Sequence, residues 1–404
     1  MVHKEVISTQ EKTMNENDYF VDPDIRVAET LPSTAFYDSA FLSRELETLF
    51  RTSWRLSALY GDEVGDSATP LYERVAKPLT VAPYTFGDTP LFLSRDKEGA
   101  LHAFPNTCTH AWYPLVQEAR QLTQDRIMCG QHGRQFSTEG RFLKHPKFTC
   151  APDFPRACDH LKELPVQTWW KFIFTALARP DVALSACVGE MERSMSLLLG
   201  REWTHIRQQS EISVIEGNWK LHAWNYMDKF HISYIHGGKG GLTDAVNLPT
   251  YRTELYERSA LQWVYARDPN DGFDPNDLPA RFACRSDPTK RVYALWWFVF
   301  PNMTFNFYPW GLSINVYEPI VGVPEKTRFI WYHVVLDEAK YARRETSWQN
   351  QNVTNEDVAA IGATTKSVTS PFAPRGRFAP TVEQGPHWFH RLLYQSIFGT
   401  GMNT

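Results

Sequence analysis

The stretch Asn106-Thr-Cys108-Thr-His110 is followed, after 18 intervening residues, by Cys129-Gly-Gln-His132-Gly-Arg-Gln-Phe136. Each stretch carries one cysteine and one histidine, spaced C-x-H in the first and C-x-x-H in the second. If the two loops face each other, they bring two thiolates and two imidazoles together, which is a donor set for metal ions. Buried cysteine without a function is common, so either loop alone would indicate little. The two loops together predict a metal centre.

Two kinds of metal centre use this donor set. Zinc binds two cysteines and two histidines around one ion, whereas a [2Fe–2S] cluster of the Rieske type binds the cysteines on one iron and the histidines on the other. Zinc fingers continue as a helix after the second ligand pair, but here a hairpin is predicted, with strands at 134–136 and 141–143 around the turn 137–140. Gly130 and Gly133 flank the second loop and leave backbone N–H groups free to point at sulfur. The context favours the iron–sulfur cluster, with zinc as the alternative.

The size and composition of the chain predict two folded domains. Its 404 residues exceed the ~250–300 residues at which a single hydrophobic core stops growing. Hydrophobic residues make up 43 % and charged residues 22 %, which excludes global disorder. The net charge is −4 and no block of five or more basic residues occurs, which argues against a nucleic-acid partner.

Targeting signals and cysteines indicate the compartment. The longest wholly apolar run, residues 293–300, is shorter than the ~20 residues that a membrane-spanning helix needs, so no membrane association is expected. The first residues lack the apolar core of a signal peptide. Six irregularly spaced cysteines do not make a disulfide scaffold and fit a reducing environment. These features predict a cytoplasmic protein.

Three regions differ in pattern along the chain. Residues 1–54 form a polar arm and then a helix, with apolar residues at helical spacing from residue 39 to about 57, expected to pack on the C-terminal domain. Residues 55–175 show short alternating runs broken by turns, which predicts a small all-β domain. Residues 176–404 predict helices at 184–199, 219–236, from about 355 and at 384–397, and strands at 259–266, 291–300, 303–308 and 328–336. Strands and helices do not alternate regularly, so the fold class is α+β with an antiparallel sheet in the C-terminal domain.

A second group of metal-binding side chains lies in Asp228-Lys-Phe-His231-Ile-Ser-Tyr-Ile-His236-Gly-Gly. Two histidines and a carboxylate on one face of an iron leave positions open for O₂ and substrate. His231 and His236 are five residues apart, roughly 140° around a straight α-helix, so they can share a metal only if the helix widens or ends there. Gly237 and Gly238 supply such an end, and Asp228 is in reach of the ring nitrogen of His231 that does not bind metal. The alternative is an amphipathic helix with incidental histidines.

Taken together, the two motifs resemble those of the Rieske non-haem iron oxygenases, the aromatic-ring-hydroxylating dioxygenase family, in their catalytic alpha subunit. The second family motif, D-x-x-H-x-x-x-x-H, is matched by the residues just quoted. In two places the chain departs from the family: Ala111-Trp112 stands where the family has arginine after the first histidine, and Ala223-Trp224 stands where it has Glu-Asn. The first family motif, N-x-C-x-H…C-x-x-H-G-x-x-F-x-x-x-G, is matched at Asn106, Cys108, His110, Cys129, His132, Gly133, Phe136 and Gly140.

The resemblance implies a fold and two sets of ligands. The fold would be a small all-β Rieske domain followed by an α+β catalytic domain with a helix-grip, START-like sheet covered by helices. The [2Fe–2S] cluster would be held by the two cysteines and two histidines of the first motif. A mononuclear Fe(II) would be held by His231, His236 and a later carboxylate, for which Asp357 inherits the role and Glu356 is the fallback. The alternative for both acids is the first turn of a helix with Thr354 as N-cap.

Two further histidines are not expected to bind metal. His387 and His390 lie in a segment that resembles the family's terminal helix, so they are expected to be packing or solvent-facing residues.

The resemblance also implies an activity and partners. Such a protein is a terminal oxygenase component that uses O₂ and electrons from NAD(P)H, delivered by a separate reductase with or without a ferredoxin. Electrons cross between neighbours in a homotrimer, and Asp228 bridges His231 of its own subunit to His132 of the partner subunit. No GxGxxG nucleotide loop occurs in this chain, so the reductase is expected to be another protein.

The substrate is less clearly encoded. The predicted catalytic sheet is rich in aromatic residues, most of them expected in the core and a few facing the iron, where they could stack a ring or cage a quaternary ammonium. Monooxygenation of a small aromatic or quaternary ammonium compound, with or without demethylation, is the favoured activity. Arene cis-dihydroxylation is the first alternative, a Rieske electron carrier without oxygenase activity is the second, and a zinc-stabilised binding module is the third. The aromatic residues in question are Trp263, Trp296, Trp297, Phe298, Phe300, Phe305, Phe307, Tyr308 and Trp310.

Overall fold

The computed structural model describes residues 14–57, 69–148, 150–205, 211–237, 241–346 and 349–399. Within these residues three antiparallel sheets form a small β region in the N-terminal half, and an eight-stranded antiparallel sheet with helices on both faces forms the C-terminal half. This confirms the predicted fold class. No helix in the described parts of the chain combines the length and the apolar character needed to cross a bilayer.

The N-terminal arm contains three short helices in place of the one helix expected from residue 39 to about 57. Asp38 separates the first two, because its side chain accepts a hydrogen bond from the Ala40 amide and so caps the second helix. Their apolar side chains, among them Phe41 and Phe50, pack against helices of the C-terminal half. The helices are α1 (Thr34–Tyr37), α2 (Ser39–Glu47) and α3 (Leu49–Thr52).

A buried ion pair joins this arm to the C-terminal half. Glu45 of α2 and Lys220 are both fully buried, and the ammonium lies 2.8 Å from the carboxylate. The rings of Phe36, Phe41 and Trp219 surround the Lys220 Nζ at 5.1–5.8 Å. Two charges that have lost their water are thus compensated by each other and by aromatic faces.

The β region is built from short antiparallel strands, as the turn-rich sequence predicts. One sheet has the order β4-β3-β2-β5 and a second has the order β6-β7-β8, which contains the predicted hairpin. A third sheet, β1-β10-β9, lies beside them, and a one-turn helix α4 (Leu71–Arg74) precedes β2. The strands are β1 (Arg55–Leu56), β2 (Thr80–Phe86), β3 (Thr89–Arg95), β4 (Leu101–Pro105), β5 (Arg120–Gln121), β6 (Ile127–Met128), β7 (Gln135–Phe136), β8 (Phe142–Lys144), β9 (Val166–Trp169) and β10 (Phe172–Thr175).

The hairpin turn requires glycine at position 140. Gly140 has φ +80°, and a Cβ atom there would lie 2.5 Å from the ring of Phe104. Both the backbone conformation and the close approach of the ring therefore exclude a larger residue.

The large sheet has the order β11-β18-β17-β16-β15-β14-β13, with β12 also paired to β18. All four strands predicted for this region are present, whereas β11, β12, β13 and β17 are missing from the sequence prediction. The strands are β11 (Thr204–His205), β12 (Glu211–Glu216), β13 (Arg252–Leu255), β14 (Ser259–Tyr265), β15 (Val292–Val299), β16 (Met303–Tyr308), β17 (Gly311–Ile320) and β18 (Val323–Val335).

Helices cover both faces of this sheet. One face packs on α5 and the other on α6, α10 and α11, so successive strand residues such as Trp296 and Trp297 enter different clusters. The predicted helices at 184–199 and 384–397 are confirmed. The single helix predicted at 219–236 is wrong, because the chain leaves the helical conformation at Asp228 and forms two helices. The helix predicted from about 355 begins six residues earlier, so Thr354 lies inside it and is not its N-cap. The helices are α5 (Leu184–Leu199), α6 (Trp219–Met227), α7 (Ile232–Ile235), α8 (Leu242–Ala245), α9 (Glu338–Thr346), α10 (Gln349–Val368) and α11 (Gln384–Phe398).

Candidate active site

The first predicted ligand set comes together in the β region. Cys108 and Cys129 are each 2 % exposed, neither forms a disulfide, and both belong to one buried cluster. The rings of His110 and His132 lie 4.8 Å apart at the protein surface. Two sulfurs inside and two imidazoles outside suit a cluster with one thiolate-bound and one imidazole-bound iron. The donors therefore fit a Rieske cluster in chemistry and in placement.

Local electrostatics favour neutral imidazole at this site. Partial desolvation and the nearby rings of His145 and His132 lower the pKa of His110. A neutral imidazole is the form that binds metal. Burial raises the pKa of Cys108, so its thiolate needs a compensating cation.

Side chains outside the ligand set hold the two loops. Asn106 accepts hydrogen bonds from the amides of Leu115 and Val116 at 2.9 Å and donates to the Val116 carbonyl at 2.6 Å. Arg134, 1 % exposed, pairs with Asp159. From the sequence Asn106 is recognisable only as a motif position, and Arg134 and Asp159 are not recognisable as partners, since their contacts depend on the folded chain.

Two more residues missed by the sequence analysis lie beside His110. The His145 and Phe148 rings pack against the imidazole with centroids at 4.7 and 5.6 Å. Trp112, one of the departures from the family, has φ +60° and is 82 % exposed.

The second predicted set meets between α7 and α10. His231 precedes α7 and His236 follows it, so the one-turn helix ends as the five-residue spacing requires, and the ring centroids are 5.2 Å apart. Asp357 of α10 places Oδ1 3.0 Å from Nε2 of His236 and 3.5 Å from Nε2 of His231. The structure thus brings together three residues of which one lies more than a hundred positions from the others.

This group has the properties of a cation site. Asp357 Oδ1 is buried and makes no hydrogen bond of acceptable geometry, although it faces both Nε2 atoms. A buried carboxylate oxygen without a donor is rare unless a cation completes it. Two imidazoles and one carboxylate fit a mononuclear Fe(II) with open coordination positions.

Glu356 occupies a different place from its neighbour. Its Oε2 lies 2.7 Å from Nδ1 of His236, on the far side of the ring from Asp357. A proton on Nδ1 that donates to Glu356 leaves the Nε2 lone pair for a metal. Burial opposes the charged form of His236, but the nearby carboxylates of Asp357 and Glu356 outweigh it and raise the pKa of that imidazole. The two carboxylates therefore create a field that stabilises positive charge.

Asp228 lies against the other histidine. It follows the last residue of α6, and its Oδ1 accepts a hydrogen bond from the Phe230 amide at 2.7 Å. Its Oδ2 is 3.4 Å from Nδ1 of His231, although that nitrogen makes no well-aligned hydrogen bond. The side chain is 16 % exposed, so Asp228 is largely withdrawn from solvent.

A cavity of about 150 Å³ opens beside these groups. Its walls include Asp228, His231, His236 and Asp357. Among the described residues that line it, none is lysine or arginine. Eight of the other wall residues described are aromatic, namely Tyr226, Tyr251, Tyr293, Trp296, Tyr308, Tyr317, Phe329 and Trp331.

Of the aromatic residues singled out in the sequence, Trp296 and Tyr308 line this cavity. The remaining seven are buried in the packed clusters of the sheet and its helices, as expected for most of them. Another wall residue, His222, was missed by the sequence analysis. Burial lowers its pKa to about 4, and its ring stacks on Tyr317.

The C-terminal histidines are both packing residues. His390 is fully buried, accepts a hydrogen bond from the Leu31 amide at 3.0 Å, and has a pKa lowered to about 3 by burial. His387 bonds to the Asp22 carbonyl at 2.8 Å. Packing is therefore confirmed for both, and the solvent-facing alternative is wrong.

Known families and structures resemble both halves of the chain. The model of the Rieske [2Fe-2S] domain matches residues 73–155, and that of the ring hydroxylating alpha subunit (catalytic domain) matches residues 196–397, half of the chain. The Rieske match decides between zinc and an iron–sulfur cluster in favour of the cluster.

A curated relative and two solved structures are similar to this chain over most of its length. The chloroplastic choline monooxygenase of Arabidopsis thaliana is 26 % identical over 401 residues, which cover 93 % of this chain and 85 % of that protein. A quaternary ammonium Rieske monooxygenase, for which carnitine oxidation and inter-subunit electron transfer are described, superposes with TM-score 0.71 at 17 % identity over 95 % of this chain and 98 % of that one. Naphthalene 1,2-dioxygenase with bound indole superposes with TM-score 0.66 at 17 % identity over 95 % of both chains. The chain belongs to the Rieske oxygenase alpha-subunit family, oxidoreductases that carry a Rieske [2Fe–2S] cluster and a mononuclear iron.

Proposed function

We propose that this protein is the terminal oxygenase component of a multicomponent system and inserts one oxygen atom into a small quaternary ammonium compound. The observation that supports this proposal most directly is the cavity beside His231, His236 and Asp357. Aromatic rings wall it, its described lining offers no lysine or arginine, and its fixed charges are the carboxylates Asp228 and Asp357. Aromatic faces and carboxylates attract a desolvated cation. The similarity to choline monooxygenase over most of the chain supports the same substrate class.

Each ligand set has a proposed role. Cys108, His110, Cys129 and His132 would hold the cluster. His231, His236 and Asp357 would hold the mononuclear iron. When bound, the two centres together supply single electrons and activation of O₂.

The residues around the proposed ligands orient them. Glu356 holds the Nδ1 proton of His236 and so directs Nε2 towards the ligand group. Asp228 faces Nδ1 of His231 and, at 16 % exposure, is accessible from the surface. We propose that it also contacts His132 of the partner subunit, so that electrons cross between subunits of a homotrimer.

Electron supply and compartment complete the proposal. Electrons would come from NAD(P)H through a separate reductase, with or without a ferredoxin. Cys108, Cys129, Cys158, Cys187 and Cys284 form no disulfide, which supports a reducing compartment, the cytoplasm.

Arene cis-dihydroxylation is the second candidate. The same aromatic walls could stack a planar ring, and a lining without lysine or arginine also suits a neutral substrate. The fold similarity to naphthalene 1,2-dioxygenase is compatible with this activity.

The test is turnover of the holoenzyme with NADH and a surrogate reductase under ¹⁸O₂. The substrate panel contains choline, glycine betaine, carnitine, toluate and naphthalene. Monooxygenation of an ammonium compound would give a product with one ¹⁸O atom and substrate-dependent NADH use. A cis-diol with two ¹⁸O atoms from an arene, without ammonium turnover, would establish the second candidate instead. NADH oxidation that no substrate stimulates would favour an electron carrier.

A further inference from the structure

One row of side chains forms the cavity wall on the sheet. Gln262 of β14 pairs with Trp296 of β15, which pairs with Asn306 of β16, which pairs with Ser313 of β17. Residues directly opposite each other in an antiparallel sheet share a face. All four line the cavity, so this row presents polar and aromatic groups to whatever enters it.

Two polar members of the row are satisfied within the protein. Asn306 accepts from the Tyr226 hydroxyl at 2.6 Å and donates to Thr304 at 3.2 Å. Ser313 accepts from the indole of Trp331 at 2.7 Å. The side-chain oxygens of Asn306 and Ser313 therefore each already accept a hydrogen bond.

Gln262 differs because half of its amide has no partner. Its Nε2 donates to the main-chain carbonyl of Tyr226 at 2.8 Å. The opposite orientation would place two oxygens against each other, so the amide is fixed with Oε1 pointing elsewhere. Oε1 is buried without a hydrogen bond, in a residue that is only 1 % exposed. A buried acceptor of this kind is costly unless a donor reaches it.

A second unpartnered acceptor lies on the same face. Asn315 follows Ser313 by two positions on β17 and also lines the cavity, and its Oδ1 is buried without a hydrogen bond. Two residues of the cavity wall thus each carry a buried amide oxygen without a hydrogen bond, while the described lining contains no lysine or arginine to receive a carboxylate.

We propose that Gln262 Oε1 accepts a hydrogen bond from a substrate hydroxyl, so that the cavity selects ammonium alcohols over ammonium carboxylates. This inference rests on the proposed ammonium substrate and specifies it further. A hydroxyl supplies the donor that Oε1 lacks. A carboxylate would instead face the lone pairs of Gln262 and Asn315.

The test is ligand binding to the holoenzyme without O₂, measured by isothermal titration calorimetry. The probes are choline, propyltrimethylammonium, in which a methyl group replaces the hydroxyl, and glycine betaine, in which a carboxylate replaces the alcohol. For the wild type we expect choline to bind about fivefold more tightly than propyltrimethylammonium, the net worth of one hydrogen bond. Glycine betaine should bind more weakly than either.

The variant Gln262→Met keeps the length of the side chain and removes the acceptor. The preference for choline over propyltrimethylammonium should fall to about one in this variant, while propyltrimethylammonium still binds and so reports an intact cavity. Ser313→Ala is the matched control, because it lies in the same row but its oxygen is already used by Trp331. It should keep the preference.

Different results overturn different claims. Equal affinity of wild type for choline and propyltrimethylammonium would refute the role of Gln262 and leave the ammonium substrate standing, whether or not the variant folds. An unchanged preference in Gln262→Met would do the same. If neither ammonium compound binds and an arene does, both this inference and the proposed function fail.

Discussion

Replacing Lys220 by methionine should destabilise the C-terminal half strongly, because it leaves the Glu45 carboxylate buried without its cation. Both side chains are fully buried, and apart from Lys220 the described contact of that carboxylate is the Trp219 indole at 3.4 Å. Methionine keeps most of the aliphatic stem, so the loss is mainly electrostatic. Breaking one side of a buried pair costs about 3–5 kcal/mol. For a domain of this size, a loss of about 3 kcal/mol lowers Tm by about 6–12 °C.

The double variant Glu45→Met with Lys220→Met is the control. It removes both charges and keeps apolar volume, so its stability should return to within about 1 kcal/mol of wild type. Thermal unfolding followed by tryptophan fluorescence compares the wild type, Lys220→Met and the double variant, and adding the single variant Glu45→Met completes the cycle that gives the coupling free energy of the pair.

The Lys220→Met variant should also respond to pH. Burial raises the pKa of Glu45, and loss of the ammonium removes the group that opposes this shift. A carboxyl with a raised pKa in the folded state binds more protons folded than unfolded, so stability falls as pH rises. The difference in the free energy of unfolding between Lys220→Met and the wild type should therefore become smaller when the pH is lowered towards the raised pKa of Glu45. A single variant as stable as the double one, at every pH, would refute this reasoning.

Four further predictions concern the metal sites. Metal and sulfide analysis should find about three irons and two acid-labile sulfides per chain, and stoichiometric zinc without sulfide would contradict this. Asp357→Ala should lose the mononuclear iron, whereas Glu356→Gln should keep a site weakened about 10–100-fold, and equal iron loss would place both acids in one role. His132→Ala should lose the visible cluster absorption while His231→Ala keeps it, so bleaching by the latter would show that the sites are misassigned. Asp228→Asn should keep both metal sites and the trimer but turn over at least about tenfold more slowly. Its pre-reduced cluster should reoxidise slowly with O₂ and substrate. Near-normal turnover would refute the proposed role of Asp228 in electron transfer between subunits.

The cluster loops were predictable because their chemistry is local. Cys108 and His110 lie two residues apart, and Cys129 and His132 three, so each loop shows its donors within a few letters. The histidine pair around α7 was predictable for the same reason. Even the requirement that the helix end between His231 and His236 follows from 100° per residue.

The end of α6 was not predicted, because it depends on a hydrogen bond of the Asp228 side chain and not on the apolar spacing of the segment. Asp228 accepts a hydrogen bond from the Phe230 amide, a local turn that replaces the helical bond of that segment. Apolar periodicity continues through the position and hides the turn. The early start of α10 was similarly hidden, since Gln349 to Asn352 carry no apolar periodicity.

The cavity could not be predicted from the sequence because it depends on strand register. Gln262, Asn306 and Ser313 become neighbours only through pairing across four strands, one of which, β17, the sequence prediction omitted. The different roles of Glu356 and Asp357 also could not be predicted without the folded structure. Adjacent acids on a helix point in different directions, and only the position of the His236 ring between them assigns a contact to each.

That arrangement ties the second metal site to one mechanical element. Because α10 carries both Asp357 and the residue that contacts His236 from the other side, a displacement of α10 relative to α7 disturbs two contacts at once. By linkage, a cation bound there clamps α10 to α7 with its full binding free energy, and any partner that shifts α10 weakens that binding in equal measure. Binding of the cation and the contact between α10 and α7 should therefore be formed or lost together.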